Sequence, residues 1–165
     1  HYSLAEMENI YNDFNLLTQN IDNLHNRAGS KKVTELHGNI ERNYCISCKT
    51  FFEDIDISEK KVLKCEKCSG LIRPDVVWFG EMLPENALRK AEERAGDSEV
   101  FFSIGTSAEV YPAAMLPLIA KRSGAYVVEI NTKPTVISYE LDEVLQGKSG
   151  EILSELVLKI KEIRN

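Results

Sequence analysis

The chain has 165 residues, a hydrophobic fraction of 43%, a charged fraction of 28% and a formal net charge of −6. This composition is typical of a soluble globular domain with one core, and no stretch approaches the roughly 20 apolar residues that a membrane helix needs. Direct binding to nucleic acid is also disfavoured, because phosphate neutralisation needs clustered Lys and Arg and the nearest basic run is Lys31-Lys32.

The first part of the chain predicts a helix followed by two short strands. Apolar residues recur at helical spacing over residues 1–14 and predict an amphipathic helix. The run 15–20 then reads as a buried parallel strand with polar groups at its carboxyl end. Residues 33–36 form a second predicted strand, which ends at His37-Gly38.

The second part of the chain alternates helices with strands. Pro117 lies inside a predicted helix, where it costs a backbone hydrogen bond and predicts a kink or a break. The predicted elements are, in order, a helix near 85–95 after Pro84, a strand over 99–104, a helix from Pro112 to about Arg122, a strand over 125–130, and a last helix whose N-cap is Ser149.

This alternation predicts an α/β fold with a parallel sheet. Ligands of such sheets bind beyond the carboxyl ends of the strands. We therefore expect a nucleotide site where the polar strand ends converge, at residues 18–20, His37-Gly38, residues 105–107 and Asn131. A G-x-G-x-x-G turn is not found, and residues 105–107 alone are a weak phosphate-binding signal.

Four cysteines form two Cys-x-x-Cys pairs, with sixteen residues between the pairs. This spacing favours one tetrahedral zinc ion held by Cys45, Cys48, Cys65 and Cys68 over two disulfides or a redox-active dithiol. A site with four protein ligands leaves no open position, so we expect the zinc to be structural. Segment 43–73 has little apolar content, and metal binding would supply much of its folding free energy.

Five motifs occur in an order that resembles the sirtuins, the NAD-dependent protein lysine deacylases. They are residues 18–25 (TQNIDNLH), residues 36–38 (LHG), the two Cys-x-x-Cys pairs, residues 73–81 (RPDVVWFGE) and residues 105–107 (GTS). The likeness runs from about His1 through Gly150. It implies a partial Rossmann-like NAD-binding domain, residues 1–42 and 74–165, with an inserted zinc-ribbon module, residues 43–73.

The resemblance also implies a reaction. NAD+ is the cofactor, acyl-lysine proteins or peptides are the substrates, and nicotinamide and O-acyl-ADP-ribose are the products. His37 matches the general base on a ribose hydroxyl, which suits an imidazole that accepts protons near neutral pH. The positions that match NAD contacts are Gln19, Asn20, Asp22, Gly105, Thr106, Ser107, Asn131 and Val144. The positions that match peptide contacts are Val76, Val77, Trp78, Phe79, Gly80, Glu81, Glu109 and Val110.

The sequence departs from the family at its start. It begins with His1, inside the family's pattern, so we expect the glycine- and serine-rich segment that grips NAD in the family to be missing. We therefore expect an incomplete sheet with exposed apolar faces. A non-catalytic zinc-ribbon binding module, a truncated inactive fragment and a mono-ADP-ribosyltransferase remain alternatives. Reduced cysteines favour the cytoplasm, with a nuclear or organellar location also open.

Overall fold

The computed structural model describes residues 1–52, 55 and 62–164. The helices are α1 (Tyr2–Ile10), α2 (Leu24–Arg27), α3 (Glu85–Gly96), α4 (Leu116–Arg122) and α5 (Ser149–Arg164), and the strands are β1 (Leu16–Thr18), β2 (Val33–Glu35), β3 (Gly38–Cys45), β4 (Phe51–Phe52), β5 (Ile72–Val76), β6 (Val100–Ile104), β7 (Tyr126–Asn131) and β8 (Glu143–Gln146). Within these described residues, each helix is too short or too polar to cross a membrane.

The strands form three small sheets. β1 pairs with β2, and β6, β7 and β8 pair in that order, all in parallel. β4, β3 and β5 form an antiparallel sheet; Cys45 ends β3, and the other three cysteines lie between the strands. The predicted α/β class with parallel strands is confirmed, but the described parallel strands lie in two sheets and not in one.

The two parallel sheets are covered by the same helices. One apolar cluster contains Ala91 of α3, Ala120 of α4 and Val127 of β7, all fully buried. Leu17 of β1 and Phe101 of β6 pack against this cluster. The shared helical layer therefore holds β1 and β6 close together, although they exchange no ladder hydrogen bonds with each other.

The opposite face of the second sheet packs on the first and last helices. Val128 and Ile130 of β7 form a cluster with Leu153 of α5, and Leu4 of α1 packs against it. Both faces of β7 are therefore buried, as is usual for a central parallel strand. Its exposed and partly buried positions lie at its two ends.

The first helix is shorter than predicted. It ends at Ile10, since Tyr11 already has an extended backbone, with φ −111° and ψ 125°. Phe14 lies beyond the helix, and the intervening Asn12-Asp13 favours a turn. The predicted apolar face is therefore wrong in its last turn, and Tyr11 is exposed.

The helix predictions at Pro117 and at Ser149 have different outcomes. The break at Pro117 is confirmed: a 3₁₀ turn at Ala113–Met115 precedes α4, and Pro117 occupies the first turn of α4, where its missing N–H is tolerated. Ser149 is the first residue of α5 and not its N-cap, since the amide of Ile152 already bonds to the Lys148 carbonyl.

Candidate active site and metal centre

The carboxyl ends of three strands meet at one place. After β1, the amide of Gln19 donates to the hydroxyl of Thr106, which follows β6, at 3.4 Å. At the end of β7, the side-chain amide of Asn131 donates to the Thr106 carbonyl at 2.8 Å. Polar side chains from both parallel sheets are therefore brought together, as the sequence pattern predicts.

The ring of His37 contacts Gln19, which follows β1. Its Nδ1 lies 3.0 Å from the backbone carbonyl oxygen of Gln19. A carbonyl oxygen can only accept, so Nδ1 must carry a proton, and in the neutral ring the lone pair then lies on Nε2. The backbone carbonyl of His37 accepts the N–H of Val77 at 3.0 Å, and this bond ties the histidine to the end of β5.

The turn after His37 requires a glycine, which Gly38 supplies. Its φ is +80°, and a Cβ at this position would lie 2.0 Å from the carbonyl oxygen of Asp75. Gly38 pairs with Val76 in the β3–β5 ladder. The missing side chain therefore allows β5 to approach the backbone directly beside His37.

Arg73 holds the loop that follows β5. Its guanidinium stacks 3.9 Å from the centre of the Trp78 ring, donates to the Val76 carbonyl at 2.7 Å and pairs with both oxygens of Glu81. The Arg73 hydrogen bonds and the backbone N–H of Trp78 lower the pKa of Glu81 to about 2. Phe79 projects from this closed loop and is fully exposed.

The four cysteine sulfurs form one compact cluster. All lie within 4.8 Å of one another, with Cys45 and Cys68 3.4 Å apart and Cys48 and Cys65 3.6 Å apart. Zinc–sulfur bonds of about 2.3 Å in a tetrahedron place the sulfurs about 3.8 Å apart, so the cluster fits one zinc ion.

The charges at the cluster also suit a divalent cation. The hydroxyl and N–H of Thr50 lower the pKa of Cys48 to about 6. The N–H of Gly70 favours the Cys68 thiolate, but the neighbouring sulfurs of Cys45 and Cys48 outweigh it and raise the pKa of Cys68 to about 12. A bound cation removes this repulsion between thiolates.

Comparison with known proteins decides the family. The sequence model of the Sir2 family matches residues 1–112. The chain belongs to the Sir2 family. NAD-dependent protein deacylase 2 of Pyrobaculum aerophilum is 49% identical over 98% of this chain and 65% of its own length. This Sir2 chain therefore spans about two thirds of the length of that curated relative.

Solved Sir2 structures share the fold. A crystal structure of a Sir2 homolog–NAD complex has a TM-score of 0.94 and 42% identity, over all of this chain and 65% of its own. A Sir2–p53 peptide–NAD+ structure has a TM-score of 0.87 and 36% identity, over 96% of this chain and 69% of its own. Sir2 proteins are the sirtuins, so the sirtuin fold that the motifs predict is confirmed.

The residues predicted to contact NAD have different surroundings. Asn20 and Ser107 are exposed, whereas Asp22 accepts the N–H of Leu24 at 3.0 Å and shapes the turn into α2. Val144 is half-buried in β8, beyond β7 from the Gln19–Thr106 contact.

Of the residues predicted to contact a peptide, Val76 and Val77 lie beside the His37–Gly38 turn. Val76 and Val77 are half-buried at the end of β5, and residues 78–81 are exposed. Glu109 and Val110 lie in the exposed loop after β6. Sequence reasoning missed Arg42, which bonds to Glu35 and Asp75 on two other strands; a single arginine inside a strand gives no pattern that predicts such contacts.

Proposed function

We propose that the protein is an NAD-dependent protein lysine deacylase and that His37 is its general base. The observation that carries this proposal is the bond from Nδ1–H of His37 to the Gln19 carbonyl, which leaves Nε2 able to accept a proton. The proposal concerns the whole protein, because the chain spans about two thirds of the curated relatives.

The side chains beside His37 have the donors and acceptors that NAD needs. Gln19, Asn20 and Asp22 supply amide and carboxylate groups for a ribose and a carboxamide, and Thr106 and Ser107 supply hydroxyls for a ribose or phosphate. Asn131 and Val144 would border the adenosine half, and Gly105, with φ +62° and open space around it, keeps the turn uncovered.

Bound NAD would supply the ribose carbon to which the acyl oxygen is transferred and the nicotinamide leaving group. His37 would accept a proton at Nε2 from a ribose hydroxyl, and the Gln19 carbonyl would stabilise the resulting imidazolium through Nδ1–H. The residues at Val76–Val77 and Trp78–Glu81 would hold the acyl-lysine peptide as an added strand, with Glu109 and Val110 on its other side. The Sir2–p53 peptide–NAD+ structure supports peptide substrates for this fold.

The zinc ion would act at a distance from this chemistry. Four thiolate ligands leave no position for water or substrate, so its role is to fold the small sheet of β3, β4 and β5. A thiolate-bound metal needs a reducing compartment, and on this ground we propose a cytoplasmic location.

The test is a mass-resolved assay of the zinc-loaded protein with NAD and two lysine peptides, one acetylated and one succinylated. We expect NAD-dependent acyl loss that vanishes in His37→Ala and persists in His1→Ala, since His1 is exposed. Acyl loss in His37→Ala at the wild-type rate would refute the role of the base.

The same assay with labelled NAD separates the remaining functions. Label released as acylated ADP-ribose supports deacylation, and label transferred to protein supports mono-ADP-ribosyl transfer instead. If neither product forms, and the protein retains one zinc ion and binds the peptide, the result supports a non-catalytic binding module.

A further inference from the structure

Arg42 joins three strands around the His37–Gly38 turn. Its guanidinium donates through Nε and Nη2 to one oxygen of Asp75 on β5, at 3.0 and 2.8 Å. Its Nη1 lies 2.8 Å from Glu35 on β2, two residues before His37. The Arg42 guanidinium on β3 therefore holds both β2, which leads into the turn, and β5, which pairs with β3 beside the turn.

The local structure makes this contact possible. The β3–β5 register shifts between Asn39 and Asn43, and Arg42 lies in the irregular part of the strand. The Asn39 amide donates to the second oxygen of Glu35 at 2.7 Å, and the Asn26 amide donates to the same oxygen at 3.2 Å. Both oxygens of Glu35 are thus occupied, and this carboxylate is only 13% exposed.

We propose that Arg42 is a positioning residue that fixes His37 as the Nδ1–H tautomer by holding Glu35 and Asp75 together across the turn. Both carboxylates lie within hydrogen-bond distance of one guanidinium, so without it two partly buried negative charges face each other. Their repulsion would move β2 away from β5, and the Val77–His37 bond spans that same gap. This inference rests on the proposed role of His37 as the base.

Lysine cannot replace Arg42 at this position. An ammonium is a point charge, whereas the planar guanidinium reaches Glu35 with one nitrogen and Asp75 with two others. We therefore expect Arg42→Lys to keep the fold but to hold β2 less closely to β5 at the His37–Gly38 turn, and Arg42→Met to hold it less closely still.

The first readout is the tautomer of His37 in ¹⁵N-labelled, zinc-loaded protein at neutral pH, with His37→Ala to assign its signals. The wild type is expected to show protonated Nδ1 and unprotonated Nε2. Arg42→Met should shift both signals towards the mixture of a free imidazole, and Arg42→Met combined with Glu35→Gln should move them back, because one of the facing charges is gone.

The second readout is hydrogen exchange at the Val77 amide, which should become faster by about tenfold or more in Arg42→Met. Arg27→Met is the matched control, since Arg27 pairs with Glu41 at 3.8 Å on an exposed surface, and both readouts should stay at wild-type values. If Arg42→Met does not fold, Arg42→Lys takes its place, with the same shifts at smaller size.

Unchanged His37 signals and unchanged Val77 exchange in a folded Arg42 variant would overturn the inference. Both readouts need neither NAD nor turnover, so an inactive wild-type protein would refute the proposed function alone. In active protein, Arg42→Lys should lower kcat several-fold with little change in the KM for NAD, and an equal rise in KM with unchanged kcat would also contradict the positioning role.

Discussion

Replacing Gly38 with alanine should disrupt the fold and the site together. The φ of +80° alone costs an L-residue about 1–2 kcal/mol. The new Cβ would lie 2.0 Å from the Asp75 carbonyl oxygen, so β5 must withdraw by roughly 1 Å, and the hydrogen bonds it breaks cost about 1 kcal/mol each. With one or two such bonds lost, the expected decrease in the free energy of unfolding is about 3 kcal/mol.

The assay is urea unfolding of the zinc-loaded protein, followed by the fluorescence of Trp78, the single tryptophan. Gly29→Ala is the matched control, because Gly29 also has positive φ, +103°, but a Cβ at that position would meet no atom within 4 Å. Gly38→Ala should therefore lose clearly more stability than Gly29→Ala, and should lose turnover as well. Equal losses in the two variants would refute the argument from close approach.

Three further predictions follow from other contacts. Cys68→Ser, or treatment with a chelator, should release one zinc ion and change the Trp78 fluorescence, as metal analysis and emission spectra would show. Arg73→Lys should raise the KM for an acyl-lysine peptide about tenfold, with the KM for NAD unchanged in steady-state assays, because it loses the stacking on Trp78 and the two-point pairing with Glu81. Hydrogen bonding by Lys121 and by the Val127 N–H lowers the pKa of Asp142, so its contribution to stability is fully present above the ordinary carboxyl pKa and is lost as the pH falls through the lowered pKa. Asp142→Asn should therefore lower stability at pH 7 and flatten the acid side of a pH–stability curve measured by urea unfolding.

Short sequence patterns were enough to predict individual strands, the helix break and the cysteine cluster. The strand before Thr106 and the break at Pro117 follow from short apolar runs and from proline geometry. The cysteine cluster follows from spacing, because each Cys-x-x-Cys pair forms its own turn. By contrast, α2 and β8 are four residues each and too short to give a periodic signal.

Contacts between distant residues could not be predicted in this way. The bond from His37 to the Gln19 carbonyl joins residues 18 positions apart, and it decides which nitrogen of the proposed base can accept a proton. The bond from Arg42 to Asp75 spans 33 positions and depends on a register shift that no turn residue announces. The motifs therefore predict which histidine is the base, whereas the tautomer of its ring could be read only from the three-dimensional structure.

The zinc ion and the proposed base are connected through two strands, although the metal would touch no substrate. β3 and β5 pair from Cys45 opposite Ile72 at the metal end to Gly38 opposite Val76 at the histidine end. A zinc ion held by Cys45 would fix the first of these pairs, and Arg42 bridges the irregular part between them by bonding to Asp75. Because Val77 follows β5 and donates to the His37 carbonyl, loosening of the ladder would reach the proposed base. A structural metal at one end of this sheet would thus contribute to the position of His37 at the other.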